Sequence, residues 1–242
     1  SFPNLGVVLD CCNKPSHDLG RHDHFEAMFS DMCDWLISHG VSRILVACPN
    51  CTKIFNEYGR SLEVSSVWEI MAGNGLPVPG KVSGEVTIHD PCPLRQEKGI
   101  HEAVRTIVDR VGLTVHEMRH KRKNTFCCGE GGFVGFVSPE TARAWGEKRA
   151  REAGKLQILT YCAGCAGYLG RNAQVGHLAD LVFWPQQTVD GTARPSRAPF
   201  TYLNRLRLKK RFQKRVPAAW SRVRTFRPQG EEQKSSCHQG DA

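Results

Sequence analysis

Several things are missing from this chain of 242 residues, and each absence narrows what it can be. No apolar run approaches the roughly 18 residues of a membrane span, so a transmembrane helix is not expected. No Ser-His-Asp pattern and no phosphate-binding loop stands out; the glycines from Gly129 to Gly135 follow a cysteine pair rather than a plain strand, so no dinucleotide site is read there. No positively charged start leads into an apolar segment with a small-residue cleavage site, and the first residue is Ser1, so the chain reads as a fragment or a processed product. Acidic residues are absent from Arg194 to Arg227, a stretch that carries twelve Lys or Arg. Outside it, 21 basic residues face 24 acidic ones, so the net charge of +9 belongs to the tail. A uniformly basic nucleic-acid-binding body is excluded, and nucleic acid is not an expected partner.

What the chain has in plenty is cysteine, eleven in all. The chain is too long, and the cysteines too grouped, for a secreted disulfide scaffold. They come as adjacent pairs and as C-x-x-C pairs, the grouping of thiols that share one metal centre, and they point to a reducing, cytoplasmic home.

The grouping repeats. Cys11-Cys12 is followed after 35 residues by Cys48-Pro49-Asn50-Cys51, and Cys127-Cys128 after 33 by Cys162-Ala163-Gly164-Cys165. Ile44 to Ala47 precedes the first C-x-x-C as Ile158 to Tyr161 precedes the second. Leu5 to Leu9 reads as a short strand, and Phe25, Met28, Phe29, Met32, Cys33, Leu36 and Ile37 recur at helical spacing before Gly40. Val64 to Ile70 and Val175 to Leu181 each read as an extended stretch entering a helix. In the second repeat Val86 to Ile88, Thr114 to Met118 and Gln157 to Thr160 read as strands, Ile100 to Val111 and Pro139 to Ala153 as helices, the latter with Ser138 as N-cap.

Alternating strands and helices predict an α/β fold: two pseudo-repeated, small, doubly wound, Rossmann-like cysteine-rich domains and a basic C-terminal tail. The expected boundaries are residues 1–78 for the first repeat, truncated at its start, 82–187 for the second, and 188–242 for a partly helical tail with a disordered end. Both C-x-x-C motifs fall where a strand ends and a helix begins, where the helix dipole and free N–H donors favour thiolates.

One more cysteine precedes the second pair, in His89-Asp90-Pro91-Cys92-Pro93, which completes the pattern C-x34-C-C-x33-C-x-x-C around Cys127-Cys128-Gly129-Glu130-Gly131-Gly132. From about residue 5 to 185 the chain resembles the cysteine-rich CCG domain found in heterodisulfide reductases and in the iron-sulfur subunits of glycolate and lactate oxidation systems. The resemblance implies a [4Fe-4S] cluster, non-cubane in the best-defined members, held by Cys92, Cys127, Cys128, Cys162 and Cys165. It implies an iron-sulfur oxidoreductase subunit, acting on a disulfide or serving as a conduit toward a quinone or organic-acid pathway, with flavoprotein or ferredoxin-like partners. No catalytic side chain is assigned.

Cys11, Cys12, Cys48 and Cys51 would be four of five ligands of a second iron cluster, whose missing cysteine would lie about 24 positions before Ser1. The first pair also departs from the family pattern in being followed by Asn13 instead of glycine. The rival reading is a non-catalytic, zinc-stabilised scaffold or assembly protein. Cys33 reads as a buried small hydrophobe, and Cys237, in the polar end, is not proposed as a ligand. His17, His22 and His24 read as solvated loop residues, while His89, next to the Cys92 turn, is a candidate donor to the site. The tail is expected to be a solvated helix or to lie on an acidic partner or on the inner face of a membrane, making the protein peripheral there.

Overall fold

The structure is a computed structural model that describes residues 5–76, 80–193, 199–216 and Arg222. The chain divides into two compact units, Asp10–Arg194 and a second made of Ser1–Leu9 with Pro195–Ala242.

In the larger unit the first repeat opens with α1 (Lys14–Asp18) and α2 (His22–Ser38). Phe25, Phe29, Met32, Cys33 and Leu36 form the buried face of α2, the spacing that the sequence predicts, and Cys33 is buried among them. The helix ends where Gly40 takes φ +75°, with Val41 N donating to Leu36 O and Gly40 N to Ile37 O. Strand β1 (Arg43–Val46) leads into α3 (Pro49–Tyr58), and β2 (Glu63–Ser66) into α4 (Val67–Asn74). The two strands pair in parallel, Arg43 opposite Glu63.

The second repeat runs β3 (Gly84–His89), a 3₁₀ turn at Cys92–Leu94, α5 (Lys98–Val111), β4 (Leu113–Val115), α6 (Val134–Val137), α7 (Pro139–Ala153), β5 (Gln157–Thr160), α8 (Ala163–Leu169), β6 (Val175–His177), α9 (Leu178–Phe183) and α10 (Pro185–Val189). Its sheet is entirely parallel in the order β4-β3-β5-β6. The chain winds outward from β3 to β4, then crosses back to β5 on the other side of β3. The topological switch, where α/β folds bind ligands, therefore lies between the carboxyl ends of β3 and β5. All four residues of β5 are buried, as a strand covered on both faces requires. Leu159 joins a core with Ile88, Val104, Ile107 and Leu178, while Ile158 joins Met118, Ala153 and Leu169 on the opposite face.

The fold class is as expected, α/β with parallel sheets and two cysteine-rich regions. Two local expectations change. Leu5–Leu9 is no strand: these residues form no ladder among those described, since β1 and β2 pair only with each other, and the side chains of Leu5, Val7, Val8 and Leu9 are exposed. Ser138 occupies the N-cap position of α7, but its hydroxyl donates to Thr141 Oγ1 at 2.7 Å instead of accepting from the helix backbone. Trp68 of α4 is buried in the core of the second repeat, together with Val86 and Leu178, so the two repeats share apolar packing.

The smaller unit contains α11 (Phe200–Gln213). Phe200, Tyr202, Leu203, Leu206 and Leu208 are exposed along it. The expected disordered end and Cys237 lie outside the described residues.

Candidate metal centre

Both sides of the switch point deliver cysteine. After β3 the backbone passes His89, Asp90 and Pro91 into the turn that starts at Cys92, with Leu94 N bonding Pro91 O. After β5, Tyr161 leads to Cys162, the N-cap residue of α8, whose Sγ accepts from Cys165 N at 3.5 Å. The Cys127-Cys128 loop fits between them because Gly129 follows it. Its φ is +97°, and a Cβ there would stand 2.2 Å from Ala142 O, so only glycine lets the loop lie against α7. Gly129 N donates to Cys127 Sγ at 3.3 Å.

The five thiols form a row. Cys92 and Cys128 both hydrogen-bond Cys127, Cys128 also meets Cys165, and Cys165 meets Cys162. Hydrogen bonds from Cys128 and Cys92 draw the Cys127 thiol down to about 2, making it a thiolate, and the bond from Cys165 lowers Cys162. Their partners move the other way: Cys128 is pushed up to about 12 by Cys127, and Cys92 and Cys165 rise as well. Cys128, Cys162 and Cys165 are buried, whereas Cys92 and Cys127 are half-buried.

The first repeat builds the same geometry with different residues. Asn13 takes φ 55°, and its N–H donates to Cys11 Sγ at 3.4 Å, as Gly129 does to Cys127. Asparagine is among the few residues that adopt the left-handed conformation, so the departure from glycine leaves the backbone unchanged. Cys48 is the extended N-cap residue of α3, matching Cys162. Cys12 is drawn down to about 3 by hydrogen bonds from Cys11 and Cys51, and Cys48 to about 6 by Cys51, while Cys11 and Cys51 are pushed up in turn. Cys48 lies close enough for its charge to act on Cys162, opposing the larger lowering by Cys165. All nine predicted cysteines therefore lie inside one unit, five in one linked set and four in the other.

Behind the row lies a buried ionic network that sequence reasoning missed except for His89. Asp90, with no exposed side-chain surface, accepts from Arg105 Nη1 and Nη2 at 2.9 Å each, from Arg122 N at 2.7 Å and from Tyr161 OH at 3.0 Å. Burial lifts the Asp90 carboxyl, but the Arg105 guanidinium outweighs it and holds it below its ordinary value. Arg105 also grips Glu117 at 2.7 and 3.0 Å. Arg149, fully buried, donates to His89 Nδ1 at 2.9 Å, His120 O at 2.6 Å and Glu152 Oε2 at 2.8 Å. A signal for it existed: Ala142, Gly146, Arg149 and Ala153 form the buried stripe of α7, with an arginine where an apolar residue is expected. Burial and the nearby Arg149 charge depress His89 to about 3. A ring nitrogen of His89 and the Sγ atoms of Cys128 and Cys165 all lie within 4.8 Å of one another. The histidines expected in a loop stand in helices instead, His22 and His24 in the first turn of α2 and His17 in α1, where it is partly buried, lies edge-on to Phe25 and shares a 3.0 Å hydrogen bond with Tyr58 OH.

Beside Cys127, Arg95, Arg119, His120, Lys123, Asn124, Thr125 and Phe126 line an open cavity of about 640 Å³ without a carboxylate. Sulfur-only rows with two lowered thiols in each set, glycine or asparagine beside each pair, and backbone N–H groups aimed at sulfur make up the donor chemistry of iron-sulfur ligation, and the residues present fit such a group.

Comparison with known proteins agrees. A sequence model of the cysteine-rich CCG domain matches residues 7–56 and 86–170. The chain is 32% identical over 140 residues to an EtfAB:quinone oxidoreductase of Syntrophomonas wolfei, covering 54% of this chain and 20% of that protein. It is 30% identical over 180 residues to one of the subunits of a fumarate reductase (CoM/CoB) of Methanothermobacter marburgensis, covering 71% and 36%. It is 28% identical over 167 residues to one of the subunits of a dihydromethanophenazine:CoB–CoM heterodisulfide reductase of Methanosarcina barkeri, covering 63% and 41%. The chain thus spans less than half the length of each of these relatives. No helix among the described residues is long and apolar enough to cross a membrane.

Proposed function

The chain belongs to the cysteine-rich CCG-domain family, and from that premise we propose that it is the iron-sulfur subunit of an oxidoreductase, relaying single electrons between a redox partner and a disulfide, quinone or organic-acid pathway. The observation that carries this reading is the gathering of nine thiols of one unit into two linked sets, Cys92 with Cys127, Cys128, Cys165 and Cys162, and Cys11 with Cys12, Cys51 and Cys48. Cys92, Cys127, Cys128, Cys162 and Cys165 would hold one [4Fe-4S] group, and Cys11, Cys12, Cys48 and Cys51 would hold a second with one further ligand. A bound iron-sulfur group supplies one-electron redox chemistry. The chain's own residues supply the thiolates, the N–H donors that stabilise them and the burial that excludes water from Cys128, Cys162 and Cys165.

A relay role suits the exposure of the row. It is open to solvent at Cys11 and Cys48 and partly open at Cys92 and Cys127, so electrons have an entry and an exit. Partners are redox subunits, a flavoprotein or a ferredoxin-like protein, as suits a family of multi-subunit oxidoreductases. The basic helix α11 fits an acidic partner surface better than a membrane, because Phe200, Tyr202, Leu203, Leu206 and Leu208 are spread round it and make no apolar stripe.

The test is anaerobic purification with iron, sulfide and zinc analysis, a visible spectrum and low-temperature paramagnetic resonance. Iron and sulfide in equal amounts, lost from the second set on replacing Cys128, support the proposal. Stoichiometric zinc without sulfide or a visible band overturns it in favour of the scaffold reading.

A further inference from the structure

We infer that His89 is a fixed N–H donor to the sulfur of the group bound at Cys128 and Cys165, a positioning residue that raises that group's reduction potential, and that it is not an iron ligand. This rests on the iron-sulfur reading above and assigns a role within it.

His89 is the last residue of β3 and has no exposed surface. Its Nδ1 lies 2.9 Å from Arg149 Nε, and a guanidinium can only donate, so Nδ1 must be the acceptor. The ring proton is then on Nε2, and an imidazolium, with donors on both nitrogens, would set N–H against N–H. Arg149 has no freedom to turn away. It is fully buried and held by His120 O and Glu152 Oε2. Glu152 is in turn fixed by its bonds to His120 N and Nδ1.

Nε2–H has no hydrogen-bond partner among the described residues, although it is wholly buried. Leaving a buried donor in that state is costly, so it calls for an acceptor. With Nδ1 engaged by Arg149, Nε2 is the nitrogen free to serve a group bound at Cys128 and Cys165, whose Sγ atoms lie within 4.8 Å of a ring nitrogen of His89. Ligation through Nε2 would require the proton to sit on Nδ1, against Arg149. Donation does not. An N–H···S bond is stronger when the sulfur carries more negative charge, so it favours the reduced state.

The experiment uses the whole chain, loaded anaerobically with iron and sulfide. His89→Phe removes the donor at similar volume, and His89→Gln returns an N–H at the ε position. The expected result is retained iron in both, a one-electron reduction equilibrium shifted about tenfold against reduction in His89→Phe, or about 59 mV, and recovery toward the parent value in His89→Gln. Where His89→Phe fails to fold, the unsubstituted protein labelled with ¹⁵N-histidine gives the answer by pulsed paramagnetic resonance. A weak nitrogen coupling is the signature of an N–H···S contact. A strong coupling of a directly bound nitrogen, iron loss specific to His89→Phe, or an unmoved potential with no coupling overturns the assignment while leaving the iron-sulfur reading intact. Zinc without sulfide in the unsubstituted protein overturns both.

Discussion

Replacing Arg105 with methionine is the sharpest stability test the network offers. Asp90 is completely buried and its two carboxylate oxygens each take a 2.9 Å bond from Arg105, whose side chain is only 11% exposed. Methionine refills much of the volume but leaves Asp90 with Arg122 N and Tyr161 OH as donors and no counter-charge. Two lost bonds to a charged group at about 1.5–3 kcal/mol each, and the general cost of orphaning a buried charge, agree on a loss of about 3–5 kcal/mol. Glu117 adds little, because it is 23% exposed and can turn to water. The sign with pH follows from Asp90. Its carboxyl is depressed in the folded protein, so its contribution is present above the unfolded carboxylate range near 4 and is lost as pH falls through the folded value. Without Arg105 the uncompensated burial instead raises it. The gap between parent and variant is therefore widest near neutral pH and closes in acid. Denaturant unfolding followed by circular dichroism at pH 7 and pH 4 measures it, and Asp90→Asn combined with Arg105→Met should recover part of the loss. A cost below about 1 kcal/mol at pH 7, the scale of an exposed pair, would refute the reasoning. Asp90 also anchors the loop into Cys127 through Arg122 N and through Thr125 Oγ1, which donates to Asp90 O at 2.7 Å, so the variant should also retain less iron.

Gly129→Ala should unfold the Cys127 loop and abolish metal retention in the second set, since it combines φ +97° with a Cβ 2.2 Å from Ala142 O. Gly131→Ala, with open space around its Cβ and its N–H kept, should retain iron like the parent; equal behaviour of the two in an iron assay would refute the loop geometry. Cys127→Ser should remove about half the iron and leave the resonance signal of the first set, Cys12→Ser the reverse; joint loss from either would mean one shared site. Tyr161→Phe, which gives up the 3.0 Å bond to the charged Asp90 Oδ1, should cost about 1.5–3 kcal/mol in denaturant unfolding with iron content unchanged.

Much of the cysteine row was legible because its determinants are local. A strand, a C-x-x-C and a helix start are adjacent in the chain, and the repeat doubled the signal. The strand at Gln157 to Thr160 is legible from its place before the C-x-x-C, and the buried stripe of α2 from helical periodicity. The ionic network was not legible, because its bonds join residues 60 apart, as Arg149 and His89 are, or 71 apart, as Tyr161 and Asp90 are, and nothing local to either partner names the other. Leu5–Leu9 misled for the opposite reason: local apolarity suggests a strand, but a strand exists only where a neighbour supplies the ladder.

Asn13 decides how the first repeat should be judged. Loss of a family glycine suggests a degenerate site that kept its fold and gave up its ligand. The structure argues against that, since Asn13 holds the left-handed turn at φ 55° and keeps its N–H on Cys11 Sγ. Cys48 keeps the N-cap of α3, and Cys12 and Cys48 are drawn down as Cys127 and Cys162 are in the second set. A disused site has no reason to preserve a strained non-glycine turn beside a cysteine pair, which costs about 1 kcal/mol or more. The turn is retained where a sulfur must be aimed, which favours a first repeat that binds its own group.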